Sequence, residues 1–358
     1  MNILYDYQSL LHTVSGASRA FCEVARCLNN NGHKAHFSVL YTDNIFYKAT
    51  FGNAGPFLPG FSFRGKSRMH NYIEQYHSGK CIRKGDFDLL HATGESLYYT
   101  GNLKKPLIIT IHDMIPENYL NDSPRVRKRK ALLQIADRVV CVSENTKREL
   151  LECYPFVNPG KVDVVYHGID QYSGQTSDNF WGNYLLFVGV RDNYKNFRFS
   201  VEALVPLLNR YKDLNILCTG RDFSKDEIQF INAHKIADRI KSVGFVKNDI
   251  LFSLYKHAKL FFYPSLYEGF GIPILEAFTN NCPACISDTS CFPEIGGDAV
   301  AYFDPKNKES ILTVITKVLE DATYANGLRE RGKERVRLFT WERSAEKMLE
   351  CYKKALIK

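Results

Sequence analysis

Leu260-Phe261-Phe262-Tyr263-Pro264-Ser265-Leu266-Tyr267-Glu268-Gly269-Phe270-Gly271-Ile272-Pro273-Ile274-Leu275-Glu276-Ala277-Phe278 is the most informative segment of this 358-residue chain. Its first four residues, apolar or aromatic and stopped by Pro264, read as a strand buried on both faces. A Gly-rich turn follows, and Pro273 stands where the first residue of a helix belongs. Such a turn aims backbone N–H groups from Gly271 and its neighbours, with the positive end of the helix, at an anion the size of a diphosphate. Glu268 precedes the turn and Glu276 falls in the first helical turn, so both carboxylates border one pocket. Carboxylates beside a phosphate site are electrostatically awkward, and hydroxyl recognition explains them better: each can accept two bonds from a sugar diol. The plainer reading is that they complement the helix dipole.

The same alternation of strand and helix runs through the chain. Strands are expected at 2–5, 34–40, 89–91, 107–112, 138–143 and 162–166, then at 184–188, 215–219, 240–243, 260–263 and 284–287, with helices between them such as 18–30, 200–209 and 249–257. Near-continuous apolar strands alternating with helices imply parallel sheets covered on both faces. The pattern pauses in the polar stretch from Gly168 to Asp178 and restarts at Leu185-Leu186-Phe187-Val188-Gly189, which puts the domain boundary there. The fold class is therefore α/β, with two Rossmann-like halves facing each other across a cleft and ligands at the carboxyl ends of the strands. The last helix, from 341, carries an apolar stripe fit for docking on a domain surface.

Hydrophobic residues make up 45% of the chain and charged residues 24%, the balance of a globular protein rather than a disordered one. No signal peptide and no membrane-spanning run are read, so the protein is expected in the cytoplasm. The net charge of +8 suits phosphate-bearing ligands or an anionic surface. Its densest stretch, Arg125-Val126-Arg127-Lys128-Arg129-Lys130, reads first as the solvated face of a surface helix. The second reading is a peripheral contact with an anionic membrane, on the inner face of the cytoplasmic membrane. No nucleic-acid motif accompanies it. The ten cysteines read as reduced buried thiols, the single pair Cys282 and Cys285 included.

The Glu268–Glu276 segment resembles the E-x7-E motif of the retaining family 4 glycosyltransferases, which have the GT-B fold. The likeness continues through Ser15-Gly16-Ala17-Ser18-Arg19, Ile111-His112-Asp113-Met114-Ile115-Pro116-Glu117, Val142-Ser143-Glu144-Asn145-Thr146-Lys147 and Val165-Tyr166-His167-Gly168-Ile169-Asp170. It then takes in Phe187-Val188-Gly189-Val190-Arg191-Asp192-Asn193-Tyr194-Lys195-Asn196-Phe197 and Pro293-Glu294-Ile295. Each is a weak signal, but their order and spacing together are specific, and the chain looks most like bacterial O-antigen and surface-polysaccharide enzymes. The resemblance implies an acceptor-side domain at 1–170, a nucleotide-sugar-binding domain at 171–340, and a helix at 341–358 returning to the first.

What the resemblance implies for single residues follows the motifs. Glu276 holds the nucleotide ribose, Glu268 the transferred sugar, and Arg191 with Lys195 the donor diphosphate, where two cations stabilise the charge on the leaving group. Gly189 and the backbone of Phe270, Gly271 and Ile272 line the same site, and Gly244-Phe245-Val246 matches the nucleobase loop. Gly16 matches a glycine turn near the donor, and His112 contacts the transferred sugar. Asp113 beside it reads as structural, and His167 as conformational. Retention of configuration is implied by the resemblance, through front-face return or, less simply, a covalent intermediate on Glu268. Asp86-Phe87-Asp88 precedes a buried strand and reads as a loop rather than a metal site, so neither metal nor cofactor is expected. The donor is expected to be a GDP- or UDP-sugar, GDP-mannose first, and the acceptor a saccharide or lipid-linked saccharide. A nucleotide-sugar epimerase or hydrolase on the same fold is the alternative, and a binding or scaffolding protein the third.

Overall fold

The computed structural model describes residues 1–52, 54–101, 103–120, 123–170, 181–191 and 193–357. The chain divides into two compact units, Met1–Gly168 with Thr340–Lys358, and Ile169–Phe339. Much of the polar stretch at which the sequence places the boundary falls in 171–180, outside the described residues.

The first unit runs β1 (Asn2–Tyr5), α1 (Gly16–Asn30), β2 (Lys34–Phe37), α2 (Ile45–Thr50), α3 (Lys66–Lys84), β3 (Leu89–Ala92), β4 (Leu107–Ile111), α4 (Ile115–Asn118), α5 (Ser123–Ile135), β5 (Arg138–Cys141), α6 (Glu144–Cys153) and β6 (Val162–Val164). The second runs β7 (Asn183–Phe187), α7 (Phe197–Arg210), β8 (Leu214–Cys218), α8 (Lys225–Ala233), β9 (Ile240–Ser242), α9 (Asn248–His257), β10 (Leu260–Tyr263), α10 (Ile272–Thr279), β11 (Ala284–Ser287), α11 (Phe292–Gly296), β12 (Ala301–Phe303), α12 (Lys308–Glu320) and α13 (Ala322–Val336), before α14 (Trp341–Leu356).

Each unit is built on a six-stranded sheet, in the orders β2-β1-β3-β4-β5-β6 and β12-β11-β10-β7-β8-β9. The named strands pair in parallel throughout. Strand order reverses once in each sheet, between β1 and β3 in the first and between β7 and β10 in the second. Loops leaving the carboxyl ends diverge at such a point and open a crevice for a ligand. The topology thus nominates one ligand site per unit before any side chain is considered.

Every strand read from the sequence is present, with small changes at the ends; the expected strand 34–40 stops at Phe37. The three residues of β12 form too short a run to stand out. Helix α3 was also not read, because it buries Glu74, Ser78 and Ile82 and so shows no apolar stripe. Helix α10 opens at Ile272 with left-handed Gly271 as its N-cap, which puts Glu276 in the second turn, one turn later than expected.

Helix α14 belongs to the first unit. Its buried Tyr352 hydroxyl meets the Tyr5 hydroxyl at 2.7 Å and His91 Nδ1 at 2.7 Å, while His91 Nε2 meets Thr110 at 2.8 Å. Trp341, Met348 and Cys351 add apolar burial, at about 1.5–3 kcal/mol for each large side chain. A Cβ at Gly168 would stand 2.3 Å from the Trp341 nitrogen, so only glycine lets the chain pass under the start of this helix.

Candidate functional site

At the reversal point of the second sheet, the loops after β7, β10 and β11 are tied together. The Leu266 N–H donates to the Tyr194 carbonyl at 2.7 Å, and Thr289 Oγ1 donates to the Leu266 carbonyl at 3.1 Å. Ser290 Oγ accepts the Glu268 N–H at 3.3 Å and donates to the Glu268 carbonyl at 2.6 Å. This frame brings Lys195 Nζ onto Glu268 Oε1 as a nearly buried ion pair. The lysine charge also lies 5.4 Å from the ring centres of Tyr194 and Tyr263.

Each of the two glutamates is held by a buried tyrosine that sequence reading passed over as core. The Tyr255 hydroxyl on α9 donates to Glu276 Oε2 at 3.0 Å, and the Tyr263 hydroxyl at the end of β10 bonds Glu268. Burial, then the adjacent carboxylate, pushes both phenols well above their ordinary range, so both remain donors. Gly271 has φ of 89°, and a side chain there would also meet Ile274 at 3.1 Å. Ile272, half-buried, opens α10 above it. Phe270 is itself core, 6.0 Å from Phe339, so only its backbone is available. Gly189 follows β7 with φ of 111°, and its N–H donates to Thr219 Oγ1 at 3.2 Å. Phe245 is 81% exposed and Val246 half-buried, on the loop between β9 and α9.

The two cations expected to act together are not equivalent. Arg191 has a fully buried side chain. Its Nε donates to Glu227 at 2.8 Å, Nη1 to the Thr219 carbonyl at 3.4 Å, and Nη2 to the carbonyls of Arg221 and of Asp222, the latter at 3.0 Å. Phe223 lies over its guanidinium at 4.6 Å. Arg191 therefore holds the β8–α8 loop, whereas Lys195 stands with the glutamates. Glu227, the partner of Arg191, also closes the capping box of α8 with Ser224.

In the first unit a cavity of about 530 Å³ opens at the corresponding reversal point, lined by loops after β1 and β3 and by His112, Asp113, Arg125, Lys128 and Arg129. Buried Asp6 at the end of β1 accepts the Thr93 N–H at 2.7 Å and bonds Gln8, joining the two loops. Burial raises the Asp6 carboxyl against these bonds. Gly16 opens α1, exposed and without the left-handed backbone of a glycine turn, and Ser15 caps the helix. Asp113, read as structural, lines the same cavity as His112 while accepting the Ile115 N–H at 3.0 Å.

The basic run on α5 is divided. Arg129 is buried, paired with Glu95 and, at 2.7 Å, with Glu117; Arg125 and Lys128 line the cavity, while Arg127 and Lys130 are exposed. Asp86 and Asp88 occupy the loop between α3 and β3, as the loop reading has it, Asp86 pairing with Lys84 at 2.7 Å. Cys282 and Cys285 are free buried thiols. Among the described residues no His, Cys, Asp and Glu cluster is placed to hold a metal, and no helix is long and apolar enough to cross a membrane.

His112 Nε2 is buried with no hydrogen-bond partner among the described residues, and the ring stacks on His167 at 5.8 Å. Burial lowers His112 to about 4 and both His91 and His167 to about 3, with Arg129 adding to the effect on His112 and His112 to that on the other two. The unfolded chain takes up these protons near 6.5, so this stability is complete above that pH and declines as pH falls toward 4. The urea midpoint is expected to drop between pH 6.5 and 5, and less steeply in His112→Gln. A flat midpoint over that window would contradict three neutral buried histidines.

Comparison with known proteins adds to this geometry. Residues 14–171 match the family described as Glycosyltransferase Family 4, and residues 176–335 that described as Glycosyl transferases group 1. The chain is 30% identical over 320 residues to O-antigen chain mannosyltransferase B of Escherichia coli, covering 87% of this chain and 75% of that protein. It is 27% identical over 225 residues to the O-antigen chain mannosyltransferase RfbU of Salmonella typhimurium, covering 62% of this chain and 63% of that one. Among solved structures it is similar to Anabaena Alr3699/HepE in complex with UDP and glucose, with a TM-score of 0.74 at 18% identity over 98% of both chains, which shows the GT-B fold.

Proposed function

The chain belongs to the family 4 glycosyltransferases, and from that premise we propose that it is a retaining hexosyltransferase acting in surface-polysaccharide synthesis. Its donor is a nucleoside-diphosphate sugar, GDP-mannose before a UDP-sugar, and its acceptor a saccharide or lipid-linked saccharide. The observation that supports this most is the Lys195–Glu268 pair at the β7/β10 reversal point, beside the Gly271 end of α10 and with Glu276 on that helix. The mannosyltransferase names of its relatives favour the GDP sugar.

In this reading Lys195 and the N–H groups of Gly271 and Ile272 take the diphosphate, Glu276 the ribose, Glu268 the transferred sugar, and the Phe245–Val246 loop the base. Binding exchanges the Lys195–Glu268 pair for contacts that match both charges: phosphate on the lysine, hydroxyls on the carboxylate. During transfer the bond from the anomeric carbon to the phosphate oxygen breaks and the bond to the acceptor oxygen forms on the same face. The departing phosphate oxygen takes the acceptor proton. Negative charge grows on that diphosphate, and Lys195 with the helix terminus stabilises it without a metal ion. Arg191 serves by positioning the loops.

Transfer is tested by incubating GDP-mannose or UDP-glucose with and without a saccharide acceptor and assigning the product anomer by NMR. An inverted product overturns retention, and stoichiometric donor loss without acceptor points to a hydrolase. Glu276→Ala is expected to weaken nucleotide binding by roughly tenfold to a hundredfold, since a hydrogen bond to a charged group is worth about 1.5–3 kcal/mol. Calorimetry giving an unchanged Kd would remove the ribose assignment.

A further inference from the structure

Helix α3 buries two polar side chains and exposes two tyrosines. Its inward face is polar, with buried Glu74 accepting the N–H groups of Leu40 and Tyr41 at 2.8 and 2.9 Å, and buried Ser78 bonding Tyr98 at 2.6 Å. Its outward face carries large side chains among the polar ones. Met69, Tyr72, Tyr76, Lys80 and Arg83 follow at intervals of three, four, four and three residues, which places them within one stripe of the helix. Tyr72 is 71% exposed and Tyr76 57%, and Lys80 Nζ sits 4.7 Å from the Tyr76 ring centre.

The loop before α3 extends this face. Phe61 is 68% exposed and Phe63 45%. The loop is not slack: Lys66 Nζ donates to the carbonyls of Leu58 and Phe61 at 2.9 and 2.8 Å, and Phe57 stacks on His70 at 4.9 Å. Solvent gives no reason to hold large aromatic side chains outward on a tethered loop and an adjoining helix.

We propose that the 58–65 loop and the outer face of α3 form a docking surface for an anionic lipid bilayer. The exposed charge along this segment has one sign: it carries Arg64, Lys66, Arg68, Lys80 and Arg83, and Glu74, the sole acidic residue between 57 and 84, is buried. None of Arg64, Arg68 and Arg83 has an acidic partner among the described residues. Aromatic rings that enter the headgroup layer beside cations that meet anionic phosphates are what such a surface requires. A self-complementary face between two copies would need both signs of charge, which this one lacks. The proposal stands apart from the reaction assigned above.

Vesicle co-sedimentation tests it, with phosphatidylcholine alone and with phosphatidylcholine containing phosphatidylglycerol. The wild-type chain is expected to pellet with the anionic vesicles and to be released by high salt. Phe61→Ser with Phe63→Ser and Tyr72→Ser, all exposed, is expected to weaken binding at least tenfold with an unchanged circular dichroism spectrum. Arg64→Glu with Arg68→Glu and Arg83→Glu is expected to do the same. Arg127→Glu with Lys130→Glu, on α5, is expected to bind as wild type. The proposal is overturned if the wild type ignores anionic vesicles or binds both kinds equally, if the α3 variants still pellet, or if the α5 variant alone is lost. It is overturned equally if the serine variant turns a wild-type dimer into a monomer in sedimentation velocity.

Discussion

Lys195→Ala is expected to slow sugar transfer by about a hundredfold to a thousandfold, the loss typical of removing one group that stabilises developing charge, roughly 3–4 kcal/mol. The lysine is only 11% exposed, so solvent screens it weakly, and its neighbours fix it in place: Glu268 on one side, the rings of Tyr194 and Tyr263 around it. The charge it faces grows as the diphosphate departs, so kcat should fall by more than KM rises. The substitution also leaves Glu268 without its cation. A thermal scan separates the effects, because a folding defect would lower the unfolding temperature in step with activity, while a transition-state defect leaves the protein folded and slow. Lys195→Arg, which keeps charge with a different shape, should recover part of kcat. Turnover equal to wild type in the alanine variant would remove Lys195 from the reaction.

Arg191→Ala is expected to act on stability first. It takes the buried cation from Glu227, leaving that carboxylate the Ser224 N–H and the distant Arg221, and removes the donors from the carbonyls of Thr219, Arg221 and Asp222. Breaking a buried pair from one side costs about 3–5 kcal/mol, which for a unit of this size is a fall in Tm of roughly 6–20 °C. Arg191→Lys should recover little, since one ammonium cannot span a carboxylate and three carbonyls. If Arg191 instead touched the diphosphate, the alanine variant would keep its Tm and lose nucleotide affinity. The two readings therefore separate in a melting curve with and without GDP.

Much of the fold was legible because parallel strands buried on both faces leave unbroken apolar runs, such as Leu260 to Tyr263, and because Gly271 and Pro273 mark a turn and a helix start. Glu268 was legible from its place before that turn, as was Glu276 on the helix beyond it. What sequence could not show were partners far apart in the chain. Glu227 lies 36 residues from Arg191, and Glu95 lies 34 from Arg129. So a buried arginine and a solvent-facing one look alike in sequence. Tyr255 and Tyr263 sit in apolar runs and read as packing; only the fold reveals that their hydroxyls hold the two glutamates. Helix α3 escaped because apolar and polar residues are spread over its faces and no apolar stripe marks it.

A crystal structure of the protein grown with GDP, or with UDP if that binds more tightly, tests the central claim most directly. The account predicts the diphosphate at the carboxyl ends of β7 and β10, its oxygens on Lys195 Nζ and the N–H groups of Gly271 and Ile272, the ribose on Glu276, and Lys195 drawn off Glu268. Nucleotide bound away from that loop cluster, or Lys195 still closed on Glu268 with the diphosphate out of its reach, would contradict it.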